Sequence, residues 1–245
     1  RTKRMIDRRE LKKDFSGTAI LDGFTARFGR NEKIGLIGKN GAGKTTLIRI
    51  LMGEDGDYSG TVARAGDAIV GAVPQRFPDF AGTALEYVTE PVRRARVELA
   101  GLEETMGRAE GRRLESILDR YGTLRAEYDR LGGDEAEERG TRYLEGLGLG
   151  EQARVPVAVL SGGEKNVLSL ARAIAARPDF LILDEPGNHL DYWGLCWLEG
   201  FIREYPGTVL VVSHNRYLLD RAVTRIVELE RGRAKEFSGN YSAYR

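Results

Sequence analysis

Apolar residues fall into two regimes along this chain. In the first third, Ala19-Ile20-Leu21, residues 33–37 (KIGLI) and residues 68–73 (AIVGAV) are short apolar runs bounded by turn residues, which predicts strands. In the last third, Phe180-Leu181-Ile182-Leu183 and residues 208–212 (TVLVV) are almost uninterrupted, the pattern of strands covered on both faces of a parallel sheet. Residues 195–205 between them predict a helix. Residues 225–229 and 234–237, on either side of Gly232, predict a closing hairpin. The expected class is therefore α/β with a mostly parallel core sheet.

From about residue 86 to 147 the β-branched runs vanish and apolar residues recur at helical spacing. Val92, Ala95, Leu99, Leu102 and Met106 step by three and four. After a break holding Gly107 and Gly111, so do Leu114, Ile117, Tyr121, Leu124, Tyr128 and Leu131. Each seam is too short for a free coiled coil, so the two helices are expected to fold back as an antiparallel hairpin ending at Gly132-Gly133. One apolar stripe per helix, with charge on the other faces, favours a hairpin that protrudes over one lying flat on the sheet. The expected organisation is one domain over residues 1–245, with residues 88–133 inserted as this arm.

Composition narrows the field. Lys plus Arg number 38 and Asp plus Glu 37, a net charge of +1, so no bulk field draws the chain toward nucleic acid or lipid. The cations are nevertheless uneven: Arg1, Lys3, Arg4, Arg8, Arg9, Lys12 and Lys13 crowd the start. Such a run is a solvated tail or an arm that touches a polyanion. The single cysteine, Cys196, excludes an internal disulfide framework. No apolar run approaches the roughly 20 residues of a membrane span, and no signal peptide is visible. A soluble, cytoplasmic protein without its own membrane domain is the expectation.

The chemistry lies in two motifs. Residues 38–45 (GKNGAGKT) follow a predicted strand and precede a helical stretch, the setting of a phosphate-binding loop. Its glycines Gly38, Gly41 and Gly43, with Asn40, Ala42 and Thr46, let backbone N–H groups converge on phosphates at a helix N-terminus. Lys44 would reach the β- and γ-phosphates and the Thr45 hydroxyl would ligate Mg²⁺, so ATP with Mg²⁺ is the expected ligand. The strand 180–183 ends in Asp184-Glu185. Asp184 would hold Mg²⁺. Glu185, pointing elsewhere, would be free to act as general base toward water.

Three further pieces resemble the ATP-binding-cassette (ABC) family. Leu160-Ser161-Gly162-Gly163-Glu164 is similar to its signature, Gln75 in Val73-Pro74-Gln75 to its metal- and water-sensing glutamine, and His214 in Val212-Ser213-His214 to its switch histidine. Phe15 stands where the family places an aromatic that stacks on adenine. Asn188-His189-Leu190-Asp191, LSGGEKN at 160–166 and FSGNYSAY at 237–244 are similar to the ABC-F group, soluble tandem cassettes of which many act on the ribosome.

The resemblance implies an antiparallel β region near the N-terminus and a helical region bearing the arm. It implies ATP hydrolysis by Glu185, His214 and Gln75, with Thr45, Gln75 and Asp184 on the metal. Ser161, Gly162, Gly163 and Asp191 would meet nucleotide at a site shared with a second cassette. Ribosomal RNA is the implied partner, with DNA structures or a transporter as alternatives. The arm resembles that of a first cassette; the basic opening resembles the linker before a second. Gly187, Asn215 and Val167 depart from the usual Thr, Asp and basic residue, but Lys44, Asp184, Glu185 and His214 are intact.

Overall fold

The computed structural model describes residues 4–15, 17–66, 68–74 and 76–244, which form two compact units: residues 1–75 with 178–245, and residues 76–177. The first unit opens with strands β1 (Arg4–Phe15), β2 (Thr18–Gly29) and β3 (Lys33–Ile37). Helix α1 (Lys44–Met52) and strands β4 (Ser59–Arg64) and β5 (Val70–Ala72) follow.

From Arg4 onward the basic opening is not a solvated tail, while Arg1 and Lys3 lie outside the described residues. β1 pairs antiparallel with both β2 and β4, giving a three-stranded sheet in the order β2-β1-β4. Met5, Ile6 and Leu11 are buried, and their interleaving with charged residues is what disguises the strand. Lys13 is also accounted for, its ammonium lying 3.2 Å from Asp55 and 2.9 Å from Asp57.

The second unit holds helices α2 (Ala84–Met106), α3 (Gly111–Leu131), α4 (Ala136–Gly146) and α5 (Gly162–Ala175). Thr83 starts α2 with a capping box. Its hydroxyl accepts from the Glu86 N–H at 3.3 Å, and the Glu86 carboxylate accepts from the Thr83 N–H at 2.9 Å. α3 stops at Gly132, whose φ of +110° gives the left-handed C-cap that glycine tolerates.

The two helices share an apolar seam, but it is not closed between them. Val92, Ala95 and Leu99 pack with Tyr128 and Leu131, and the same cluster takes in Ala136 at the start of α4 and Ala176 just after α5. Arg96 donates to the Tyr128 hydroxyl at 3.0 Å and pairs with Asp134 at 3.0 Å, fixing the base further. Toward the tip burial fades: Leu102, Met106, Leu114 and Ile117 are only half-buried.

Pro91 sits inside α2 and cannot donate the helical N–H that would reach the Tyr87 carbonyl. Arg172 of α5 fills the gap, donating Nη1 to that carbonyl at 3.0 Å. Its other nitrogen pairs with Glu90 at 2.6 Å, and the guanidinium stands 4.6 Å from the centre of the Tyr87 ring.

The chain returns to the first unit with β6 (Phe180–Asp184), α6 (Tyr192–Glu204) and β7 (Thr208–Val212). It closes with α7 (Arg216–Ala222), β8 (Arg225–Glu230), β9 (Arg233–Ser238) and α8 (Tyr241–Tyr244). The larger sheet runs β5-β6-β7-β3-β8-β9, parallel throughout except for β9, which pairs antiparallel with β8. Ile34, Leu36, Phe180, Ile182, Leu210, Val212 and Val227 of this sheet share one core with Phe24 and Phe28 of the smaller sheet and with Leu47 and Ile50 of α1. β3 and β6 flank β7 in register, Leu36 and Asp184 both opposite Val212. The residues that follow all three strands therefore emerge together at the carboxyl edge, where open parallel sheets bind ligands.

Candidate nucleotide site

That edge carries a cleft of about 630 Å³ lined by the loop between β3 and α1, the end of β6 and the segment after β7. Asn40, Gly41, Gly43, Lys44, Thr45 and Thr46 face Asp184, Glu185 and His214 across it. The structure thus brings nine of the expected residues together, while Gly38 and Ala42 belong to the same loop. Gly43 caps α1 with φ +100°, and a Cβ there would fall 2.7 Å from the Ile20 Cγ2. Only glycine fits, so the loop lies tight on β2. The first turn of α1 holds no acidic residue to oppose an anion at the helix N-terminus. Lys44 Nζ is held by the carbonyls of Gly38 and Lys39, at 2.7 and 3.1 Å.

Asp184 ends β6. Desolvation, then the neighbouring Glu185 charge, push its pKa up, and Lys44 opposes them without prevailing. A carboxylate so placed gains from a cation brought beside it. With the Thr45 hydroxyl it supplies hard oxygen donors of the kind Mg²⁺ takes, leaving phosphate and water to complete the shell. Among the described residues no group of three or more acidic, His or Cys side chains is placed to hold a metal by itself.

Glu185 is not free-standing. Its φ of +47° is a left-handed conformation that costs a non-glycine residue about 1–3 kcal/mol. Hydrogen bonds hold it there. The Glu185 N–H donates to the Val212 carbonyl at 2.7 Å. Its carboxylate accepts from the Ser213 hydroxyl at 3.2 Å and from the His214 N–H at 3.0 Å. The His214 Nε2 stands 3.7 Å from the Glu185 Oε1, within reach of a shared water or phosphate oxygen. Ser213, buried and also accepting from the Asn215 N–H at 3.0 Å, is the residue sequence reasoning passed over. Ile20 and Asn188 likewise line the cleft unannounced, although Asn188 lies in the quoted NHLD motif.

Other expected residues lie elsewhere. Phe15 closes β1, 73% exposed and outside the cleft lining. The Asp191 carboxylate caps α6, accepting from the Gly194 N–H at 2.7 Å. Gln75 lies outside the described residues. In the second unit Ser161 begins α5 with a reciprocal cap: its hydroxyl accepts from the Glu164 N–H at 3.3 Å, and the Glu164 carboxylate accepts from the Ser161 N–H at 2.8 Å. Gly162 and Gly163 form the first turn of that helix. Of the departures, Asn215 caps α7 through the Leu218 N–H, and Val167 is buried in α5.

A glycine-rich loop opening a helix with Lys44, two carboxylates and a histidine at one sheet edge have the make-up of a nucleotide triphosphatase cassette. The family model described as "ABC transporter" matches residues 21–188. Among relatives, "Probable ATP-binding protein YheS" of Escherichia coli (strain K12) is 37% identical over 226 residues, 92% of this chain and 34% of that protein. "Putative ATP-binding protein YdiF" of Bacillus subtilis (strain 168) is 36% identical over 96% of this chain and 37% of its own length. "Energy-dependent translational throttle protein EttA" of Mycobacterium tuberculosis (strain ATCC 25618 / H37Rv) is 34% identical over 96% of this chain and 42% of its own.

The chain belongs to the ABC transporter family and is an ATPase cassette of the ABC-F kind, the group to which these relatives belong. It spans 34–42% of the length of the curated relatives it matches. A solved structure described as "Structure of ATP binding subunit of ABC transporter" shares the fold, with a TM-score of 0.70 at 22% identity over 96% of this chain and 90% of that one. Among the described residues no helix is long and apolar enough to cross a membrane.

Proposed function

We propose that this chain binds MgATP in the β3–α1 cleft and hydrolyses it when a second cassette presents its own signature segment to the same nucleotide. The observation that carries this reading is the convergence of Lys44, Asp184 and the clasped Glu185 on one cleft. The loop amides and Lys44 bind the phosphates, Lys44 leaving the Gly38 and Lys39 carbonyls to do so. Thr45 and Asp184 would hold Mg²⁺, which would supply charge to offset that of the terminal phosphates. Glu185, oriented by Ser213 and the His214 N–H, takes a proton from the attacking water on its carboxylate. His214, whose Nε2 stands 3.7 Å from the Glu185 Oε1, would donate toward the departing phosphate. Ser161, Gly162 and Gly163 serve the partner's nucleotide, not this one.

The name of the relative EttA concerns translation, and the α2–α3 hairpin gives the chain a feature a bare ATPase does not need. We infer that the full-length protein acts at the ribosome, ATP-driven pairing of cassettes setting how the hairpin engages it. A DNA target draws no support from the relatives.

Two measurements test these readings separately. ATPase activity per molecule of the chain should rise with protein concentration, since the site needs a partner; constant specific activity across the range refutes the shared site. The full-length protein carrying Glu185→Gln should pellet with ribosomes in ATP and not in ADP. Equal pelleting in both nucleotides removes the gated ribosomal role.

A further inference from the structure

β1 contributes no residue to the lining of the nucleotide cleft, and it is not a regular strand. The alternation of β1 breaks at Glu10, whose φ is +52°, and the pairing shifts register between Arg8 and Leu11 on one side and Arg9 and Lys12 on the other. Residues 9 and 12 of an unbroken strand point to opposite faces. Here Arg9 and Lys12 are both exposed while Leu11 is fully buried, because the extra residue of the bulge re-aims Lys12 outward.

The bulge is built in. The Glu10 N–H donates to the Thr25 hydroxyl at 3.0 Å. Gly60 of β4, with φ +103°, lies beneath the bulge, and a Cβ there would fall 2.5 Å from the Glu10 carbonyl oxygen and 2.7 Å from that of Arg9. No other residue fits without displacing the bulged backbone.

The outcome is a groove of about 630 Å³ on the outer face of the small sheet, wholly separate from the nucleotide cleft. Arg9, Lys12 and Arg27 supply its cations and Thr25, Ser59 and Thr61 its hydroxyls, against one lining carboxylate, Glu10. A single largely buried carboxylate, Asp7, lies 3.5 Å from Arg9 and 3.7 Å from Arg27, and Lys12 makes no ion pair among the described residues. In a chain of net charge +1 this excess is local.

We propose that this face of the β2-β1-β4 sheet is a docking surface for the phosphate backbone of RNA. Guanidinium and ammonium groups interspersed with hydroxyl donors match phosphate and sugar oxygens. No aromatic side chain lines the groove to stack a base, so the contact reads backbone and not sequence. The choice of RNA over another polyanion rests on the ribosomal reading above.

The test uses naked RNA, so that its failure and the failure of the ribosomal reading stay distinguishable. Binding of the chain to a fluorescein-labelled RNA stem-loop is followed by anisotropy between about 50 and 200 mM KCl, where each phosphate contact adds nearly one to the log–log salt slope. Lys12→Gln should flatten that slope by about one, and Arg9→Gln, Lys12→Gln and Arg27→Gln together by about three. Affinity for a fluorescent ATP analogue should not change. Lys12→Gln disturbs no ion pair and so reports even if the triple variant unfolds. An unchanged slope for Lys12→Gln overturns the proposal. So does polyglutamate that displaces the RNA at equal charge concentration, which would make the partner an acidic protein.

Discussion

Arg172→Met, with and without Pro91→Ala, isolates the bond that ties α5 to α2. Methionine keeps much of the arginine's apolar stem and discards three interactions. Loss of Nη1 leaves the Tyr87 carbonyl, freed by Pro91 and buried, without its 3.0 Å donor. An abandoned buried acceptor costs about 1–3 kcal/mol. The partly exposed pair with Glu90 contributes about 1 kcal/mol at most, and the guanidinium over the Tyr87 ring about 0.5–1 kcal/mol. The sum is about 1.5–5 kcal/mol of local stability, hence amide exchange in α2 faster by about 10–10⁴. Pro91→Ala restores a helical N–H aimed at the same carbonyl. In that background Arg172→Met should therefore cost about 1–2 kcal/mol less. Hydrogen exchange of peptides covering residues 84–106 reads the effect locally, which matters in a chain of two compact units. Equal acceleration by Arg172→Met with Pro91 present and with Pro91→Ala would falsify the claim that Arg172 substitutes for the missing donor.

Three other outcomes follow from the site and the hairpin. Ser213→Ala removes one of the bonds that orient Glu185 and should lower kcat about tenfold, the worth of a bond near 1.4 kcal/mol, with KM for ATP unchanged and activity recovered by Ser213→Thr; a change confined to KM refutes the positioning role. Asp184→Asn should raise the Tm of the nucleotide-free chain at neutral pH, because the folded-state pKa of Asp184 is raised and its ionised form therefore costs stability above that pKa. The difference from wild type should shrink as pH falls through the raised pKa, and a difference that instead grows toward acid contradicts the assignment. Replacing residues 103–119 by a short Gly-Ser linker should spare folding, since it leaves the buried base intact, and should abolish ribosome pelleting of the full-length protein; undiminished pelleting excludes the hairpin as the docking element.

The nucleotide cleft was legible because its constraints are local. Glycines at fixed offsets, Lys44 and the acids after an apolar run declare themselves in a few consecutive residues, and parallel register then aligns Asp184 with Val212 without further instruction. β1 is disguised because five cations mask three buried apolar residues, and because the bulge at Glu10 breaks the period-two pattern on which such a reading relies. Ser213 escaped notice for a different reason. A serine beside a switch histidine is unremarkable until the end of β7 is known to meet the end of β6. The hairpin's heptads were visible, but nothing in them tells that Ala136 and Ala176, beyond its ends, complete the seam.

The gradient of burial along α2 has a mechanical meaning. From Glu90, gripped by Arg172, to Met106 at the far end is about 24 Å at the usual helical rise. Tilting the gripped end by about 10° would carry the other through about 4 Å, the width of an atom-to-atom contact. The signature helix α5 thus holds the short side of a lever. A shift in α5 too small to break any packing at the base becomes, at the tip, the difference between touching a neighbour and missing it.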